Sequence, residues 1–163
     1  MRTEHRHFLQ VLGICSMAVL FFGFPARGEG MDVMISGAWY FRPQEMFWSS
    51  PDPVLESSPG SAVIHVVNSG GTREPWRLEV RRQGAPLPGG IILWIRRSGS
   101  GHGTGWIRDG LGFIPVGERP VSLFSGAGDR MQVPLQIRIS GFTPRTPAVR
   151  IRSALLFTVV RLR

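Results

Sequence analysis

Residues 131–140 read MQVPLQIRIS. Val133, Leu135, Ile137 and Ile139 occupy every second position, and Gln132, Gln136 and Arg138 fall between them. A period of two is that of an extended strand, whose successive side chains point to opposite faces; a helix would space its apolar residues three and four apart. One face of this segment therefore belongs to a core, and the other is wet or semi-wet. Pro134 lies among the outward residues. It has no N–H to give to a neighbouring strand, so an edge or a bulge is expected there.

The same rhythm extends in both directions. Beyond the turn-like GFTPRTPA, the last segment VRIRSALLFTVVRLR puts Val149, Ile151, Leu155, Phe157 and Val159 on one face and Arg150, Arg152, Thr158 and Leu162 on the other. Toward the N-terminus come PVSLF, the short runs WIRD and GFIPV, then IILWIRR, WRLEVRR, SAVIHVVNS and DVMISGAWYF. Gly-, Pro- and Ser-rich turns separate them, and the long RPQEMFWSSPDPVLESSPG reads as an irregular connection. Frequent short strands of this kind predict a single antiparallel β-sandwich of Greek-key type with 7–9 strands.

In WRLEVRR, Trp76, Leu78 and Val80 point inward, and Arg77, Glu79 and Arg81 point outward. Arg82 is next in the inward register, where the chain is expected to leave the sheet. IILWIRR breaks similarly at Arg96 and Arg97. Both arginine pairs read as solvated strand ends, and the two runs as hairpin partners across QGAPLPGG, with the pairs at opposite ends and no shared anion site.

The start of the chain has a different pattern. MRTEHRH is basic, FLQVLGICSMAVLFFGF is apolar, and PARGEG supplies a breaker with small residues. That order is a signal peptide, read as a helix over residues 1–28 with cleavage after Gly28, which leaves residues 29–163 as the domain. Its apolar run is slightly short for a membrane span of about 20 residues, so membrane contact is expected only before cleavage. Cys15 is the one cysteine. The mature chain would have neither disulfides nor cysteine-held metal, which suits a bacterial extracytoplasmic location: periplasm, cell surface or medium.

The formal net charge is +8, and every basic side chain apart from histidine is arginine. These arginines are scattered and interleaved with Glu79, Asp109, Glu118 and Asp129, so the composition does not call for nucleic acid. No pattern demands a catalytic centre, metal or cofactor. SGSGHGTG lacks the Gly-Lys-Ser/Thr ending of a phosphate loop and opens no helix. His65 and His102 are isolated from one another, whereas zinc needs three or four ligands. Asp129 in SGAGD reads as a turn residue capping its own backbone. Glu45, Asp52 and Glu56 lie in the proline-rich connection, without the geometry of a glycosidase pair. The five tryptophans stand out more. Trp76 matches the inward phase, Trp94 suits either face, and Trp48 and Trp106 lie in or beside loops, where an exposed ring could stack on a sugar.

The pattern PWRLEVRR…ILWIRRSGSGHG…LFSGAGDRMQVPLQIRISGFTPRTPAVRIRSALLFTVVRL resembles that of small secreted bacterial β-sandwich proteins. It rests on Trp76, Leu78 and Val80, on Arg96 and Arg97, on Phe124 to Arg130 and on Ala154 to Val160. More broadly it is similar to W-x-L surface domains and to spore-coat-U and pilin-like Greek-key subunits, across residues 31–163. It departs from pilins in having no disulfide and from W-x-L proteins in having no second such motif. The resemblance implies an immunoglobulin-like or pilin-like sandwich with a non-enzymatic surface or envelope role, and carries over no site residue. The resulting expectation is a structural or adhesive subunit that self-associates or meets protein partners through a sheet edge, which accepts an extended segment such as DVMISGAW donated by a neighbour. The alternatives are a carbohydrate-binding module using Trp48 and Trp106 and a secreted hydrolase whose site has no sequence signature.

Overall fold

The computed structural model describes residues 31–39, 41, 53–70, 73–87, 89–142 and 153–162. The expected signal peptide and its expected cleavage after Gly28 lie outside them. The described chain is all β, and its strands form two antiparallel sheets. The elements are β1 (Asp32–Gly37), β2 (Leu55–Glu56), β3 (Ala62–Val67), β4 (Pro75–Gln83), β5 (Ile92–Arg97), β6 (His102–Gly103), β7 (Trp106–Arg108), β8 (Ile114–Pro115), β9 (Val121–Ala127), β10 (Arg130–Ser140) and β11 (Ala154–Arg161). That is eleven strands among the described residues, where 7–9 were expected. The excess comes from two-residue pairings such as β2 and β6, which lie inside segments that read as connections.

The first sheet runs β1-β3-β10-β5-β8, with β2 and β6 also on β10; the second runs β11-β4-β9-β7. The segment quoted first is β10, the spine of the larger sheet, which bonds to four strands. Its predicted inward residues, Val133, Leu135, Ile137 and Ile139, are all buried. They share one core with Ile64, Val66, Leu93 and Ile95 of the same sheet and with Trp76, Leu78, Val80 and Phe124 of the other. Burial of such a continuous apolar layer is the main force holding the sheets together.

Pro134 lies in a central strand, and the register explains how. A bulge separates Arg130 from Val133, with Gln132 at a left-handed φ of 52°. On its β5 side Pro134 lies opposite Ser98, one residue past the end of β5. Its carbonyl accepts the Ser98 N–H at 2.8 Å, and the proline forfeits a ladder bond only where the ladder is ending.

The hairpin expected between WRLEVRR and IILWIRR does not form. β4 pairs with β11 and β9, and β5 pairs with β10 and β8 in the opposite sheet. QGAPLPGG is therefore a bridge from sheet to sheet. Both runs present apolar residues to the common core from opposite sides, which side-by-side hairpin strands could not do.

Candidate functional site

The arginine pairs divide by register. Arg81 is exposed, but Arg82 and Arg97 are buried at 6% and 5% exposure, contrary to the strand-end reading. Each continues the inward phase of its strand, and backbone carbonyls of the crossing loops satisfy its guanidinium. Arg82 donates to the Ala85 carbonyl at 2.6 Å and pairs with Glu118 at 3.0 Å. Arg97 donates through Nε to the Asp109 carbonyl and through Nη1 to the Gly99 carbonyl and Ser100 Oγ. Burial loosens Arg97's hold on its proton; the Asp109 carboxylate opposes this and neighbouring Arg130 adds to it. Arg130, also buried, donates to the Gly105 carbonyl at 2.7 Å. A planar guanidinium with five donors can tie two loops at once, and these three side chains act as loop latches rather than as an anion site.

The outer face of the larger sheet holds a second network. Arg96 and Arg138 both stack on Phe113, with guanidinium carbons 4.5 and 4.0 Å from the ring centroid. Arg96 donates to Gln136 Oε1, and Arg138 pairs with Glu56 at 2.6 Å. Gln136 was expected on the wet face, but β2 and Arg96 cover it, leaving it buried with its amide on Glu56 and the Ser57 carbonyl. Trp94 is cross-strand neighbour to Arg138, and its indole N–H donates to Ser140 Oγ at 2.8 Å. Trp94 therefore takes the outer face and remains half-buried there.

Of the tryptophans chosen for sugar stacking, Trp48 lies outside the described residues. Trp106 starts β7 at the edge of the smaller sheet, half-buried, with the Arg108 guanidinium carbon 4.7 Å from its ring centroid. One indole face is thus occupied by a neighbouring side chain. Glu45 and Asp52 also lie outside the described residues, and Glu56 is held in its ion pair. His65 has Nε2 3.5 Å from Ser36 Oγ, and His102 is exposed on β6. Among the described residues no three His, Cys, Asp or Glu side chains gather to hold a metal. A depression of about 650 Å³ is lined by Arg73, Glu74, Pro75, Arg161 and Leu162. Its Glu74–Arg161 pair is 3.6 Å apart and about half exposed on each side, a solvated arrangement with little hold on a ligand.

Asp129 proves to be a hub of loops. Its carboxylate accepts the Ser69 N–H at 2.9 Å, its carbonyl accepts the Thr104 N–H at 3.1 Å, and its own N–H donates to Thr104 Oγ1 at 3.3 Å. The Ser69 amide is the leading cause holding this carboxyl below the ordinary aspartate value. The nearby Ser69 hydroxyl dipole acts in the same sense, burial opposes it, and the Asn68 amide adds less. A carboxylate with a lowered folded-state pKa stabilises the fold above the free-aspartate range, and that contribution is lost as pH falls through the folded value. Urea midpoints of the wild type should therefore fall below about pH 4. Asp129→Asn should be the less stable protein at neutral pH and show a shallower acid loss; parallel pH profiles would refute this role.

The described residues thus define an all-β protein of two antiparallel sheets around one core, with its conspicuous cations turned to internal bonding. Set against family models, curated proteins and solved structures, the chain matches none.

Proposed function

We propose that this chain is an exported, non-catalytic structural or adhesive subunit of the bacterial cell envelope or surface. In this reading it is built as a Greek-key sandwich and meets its partners through a sheet edge. The order β3-β10-β5-β8 facing β4-β9-β7 supports the Greek-key assignment, because it is the order of a jelly roll, in which two Greek keys interlock. Jelly rolls serve capsid shells and lectins alike, so the order alone does not choose a role.

The observation that carries the reading is β1. Natural sheets protect their edges with short strands, charges, prolines or bulges. On one side the edges are short, β7 with three residues and β8 with two. On the other lie two long edges among the described residues: β11 of the smaller sheet, eight residues ending in Arg161, and β1 of the larger sheet, six residues, DVMISG, with one charge at its start and neither proline nor bulge. Fractionation of cells producing the full chain tests the role. The expected result is a product outside the cytoplasm whose N-terminus follows Gly28; an uncleaved cytoplasmic protein would overturn the proposal.

Glycan binding is the second reading, and Trp94 favours it, since its half-buried indole is oriented by Ser140 on the outer sheet face beside Arg138. Trp94→Ala should then abolish glycan-induced changes in tryptophan fluorescence, and an unresponsive wild type across a glycan panel would remove this reading.

A further inference from the structure

The segment DVMISGAW was expected to be the donated strand, but its first six residues are β1, paired along their whole length with β3 of the same chain. β1 is therefore an edge that receives. Among the described residues no strand pairs with its outer side.

The hydrogen-bond phase of that outer side follows from one contact. The Ala38 N–H donates to the carbonyl of Ser61, the residue directly opposite, at 3.0 Å. In an antiparallel pair, bonded and non-bonded positions alternate. Ser36, Met34 and Asp32 thus spend their backbone groups on β3, and Val33, Ile35 and Gly37 turn theirs outward. The side chains alternate as well: Val33 and Ile35 pack against the core, whereas Met34 stands 51% exposed on the outer face.

We infer that the occupant of this edge is β1 of a second copy, in one register. A two-fold antiparallel pairing joins residues whose numbers have a constant sum. Only an even sum sets outward-bonding residues against each other and keeps core faces with core faces. A two-fold centred on Val33 would need Met31, which precedes β1, as the ladder partner of Ile35, and one centred on Ile35 would draw in Gly37, whose φ of 95° is not extended backbone. A two-fold centred on Met34 confines the ladder to Asp32–Ser36. Val33 then exchanges both backbone bonds with Ile35 of the other copy, and Ile35 with its Val33. Asp32 faces Ser36, so no like charges meet. The two Met34 side chains, the most exposed apolar groups of the strand, cover each other across the axis. The edge is self-complementary in hydrogen bonding, face and charge, the requirements of an isologous dimer. It continues the larger sheet across the axis, and it deepens the reading of a sheet-edge partner given above.

The experiment uses the full chain with Cys15→Ser, so that each introduced thiol stands alone. Met34→Cys occupies a non-bonded pair, where the Cα atoms approach to about 4.5 Å, within disulfide reach. Ser36→Cys would face Asp32 of the other copy, about four residues from its own counterpart, roughly 13 Å away. Oxidation is expected to cross-link the Met34→Cys protein and not the Ser36→Cys protein. Light scattering on the unmodified chain should show dimerisation that Met34→Arg weakens by about tenfold or more, the size expected when a close apolar pair becomes a like-charge pair. Cross-linking of the Ser36→Cys protein would overturn the register. Dimers indifferent to Met34→Arg would overturn this interface while leaving self-association through another edge intact. A monomer at all concentrations with Val33 and Ile35 amides protected from exchange would mean that another segment of the same chain covers β1, and would overturn the inference without touching the export result.

Discussion

Trp76→Ala is expected to lower the unfolding free energy by about 3–5 kcal/mol, the usual cost of emptying a large aromatic site in a core. Trp76 has no exposed surface and packs edge-to-face on Phe124, with centroids 6.0 Å apart and planes at 67°. Its indole N–H donates to the Gly128 carbonyl at 3.0 Å, so truncation also leaves a buried carbonyl without its donor. Collapse around the cavity is obstructed, because the site is already fitted: a Cβ on Gly126 would come within 2.7 Å of the ring. Since whole domains have only about 5–15 kcal/mol, this single change should bring the protein close to unfolding. Urea denaturation followed by near-ultraviolet circular dichroism measures it. Trp94→Ala, on the outer face, should cost about 1 kcal/mol or less. Equal losses for the two variants would contradict the division into inner and outer tryptophans.

The second large effect belongs to Arg97. Arg97→Ala should cost about 2–3 kcal/mol, because charge-assisted bonds to carbonyls are lost where water cannot fully replace them. The damage should be local in character. Hydrogen exchange of residues 98–110 should accelerate far more than that of Ile64 or Ile137, since one guanidinium secures both the Gly99–Ser100 and Asp109 ends of that loop. Arg97→Lys should not restore the wild type, as an ammonium lacks the planar fork that reaches both ends. Arg108→Ala, which removes only an exposed stacking partner of Trp106, should stay within about 1 kcal/mol. An Arg97 variant as stable as the Arg108 variant would mean that the latch contributes nothing.

The two-sheet, all-β character of the chain was legible because burial imposes a period of two wherever one strand face meets a core. β4 follows that rule residue by residue, and β10 follows it from Val133 to Ile139 except at the covered Gln136. The buried arginines were legible in phase but not in fate. Arg82 and Arg97 stand at inward positions, but a charge at such a position is ordinarily assigned to solvent, and only the path of the crossing loops reveals carbonyls waiting to pair with it. QGAPLPGG illustrates the same gap, since a Gly- and Pro-rich octapeptide looks alike whether it reverses a hairpin or carries the chain to the other sheet. The pairings of β2, β6 and β8 leave no trace, because two residues are too few to show a period. Gln136 was placed outward correctly, yet its burial depends on β2, a neighbour distant in the chain.

The pairing scheme also fixes when the protein can fold. Among the described residues no strand bonds to the next one in the chain: β3 waits for β10, β4 for β9 and β11, and β5 for β8 and β10. With these partnerships long in sequence, loop closure has to be met before any sheet repays it, and folding of this kind is slow. A ribosome that has passed β5 has made β3, β4 and β5 without the spine that joins β3 to β5. The nascent polypeptide lacks those partners until β10 and β11 emerge, and under the export proposed above this is the interval in which it would be threaded through a translocation channel.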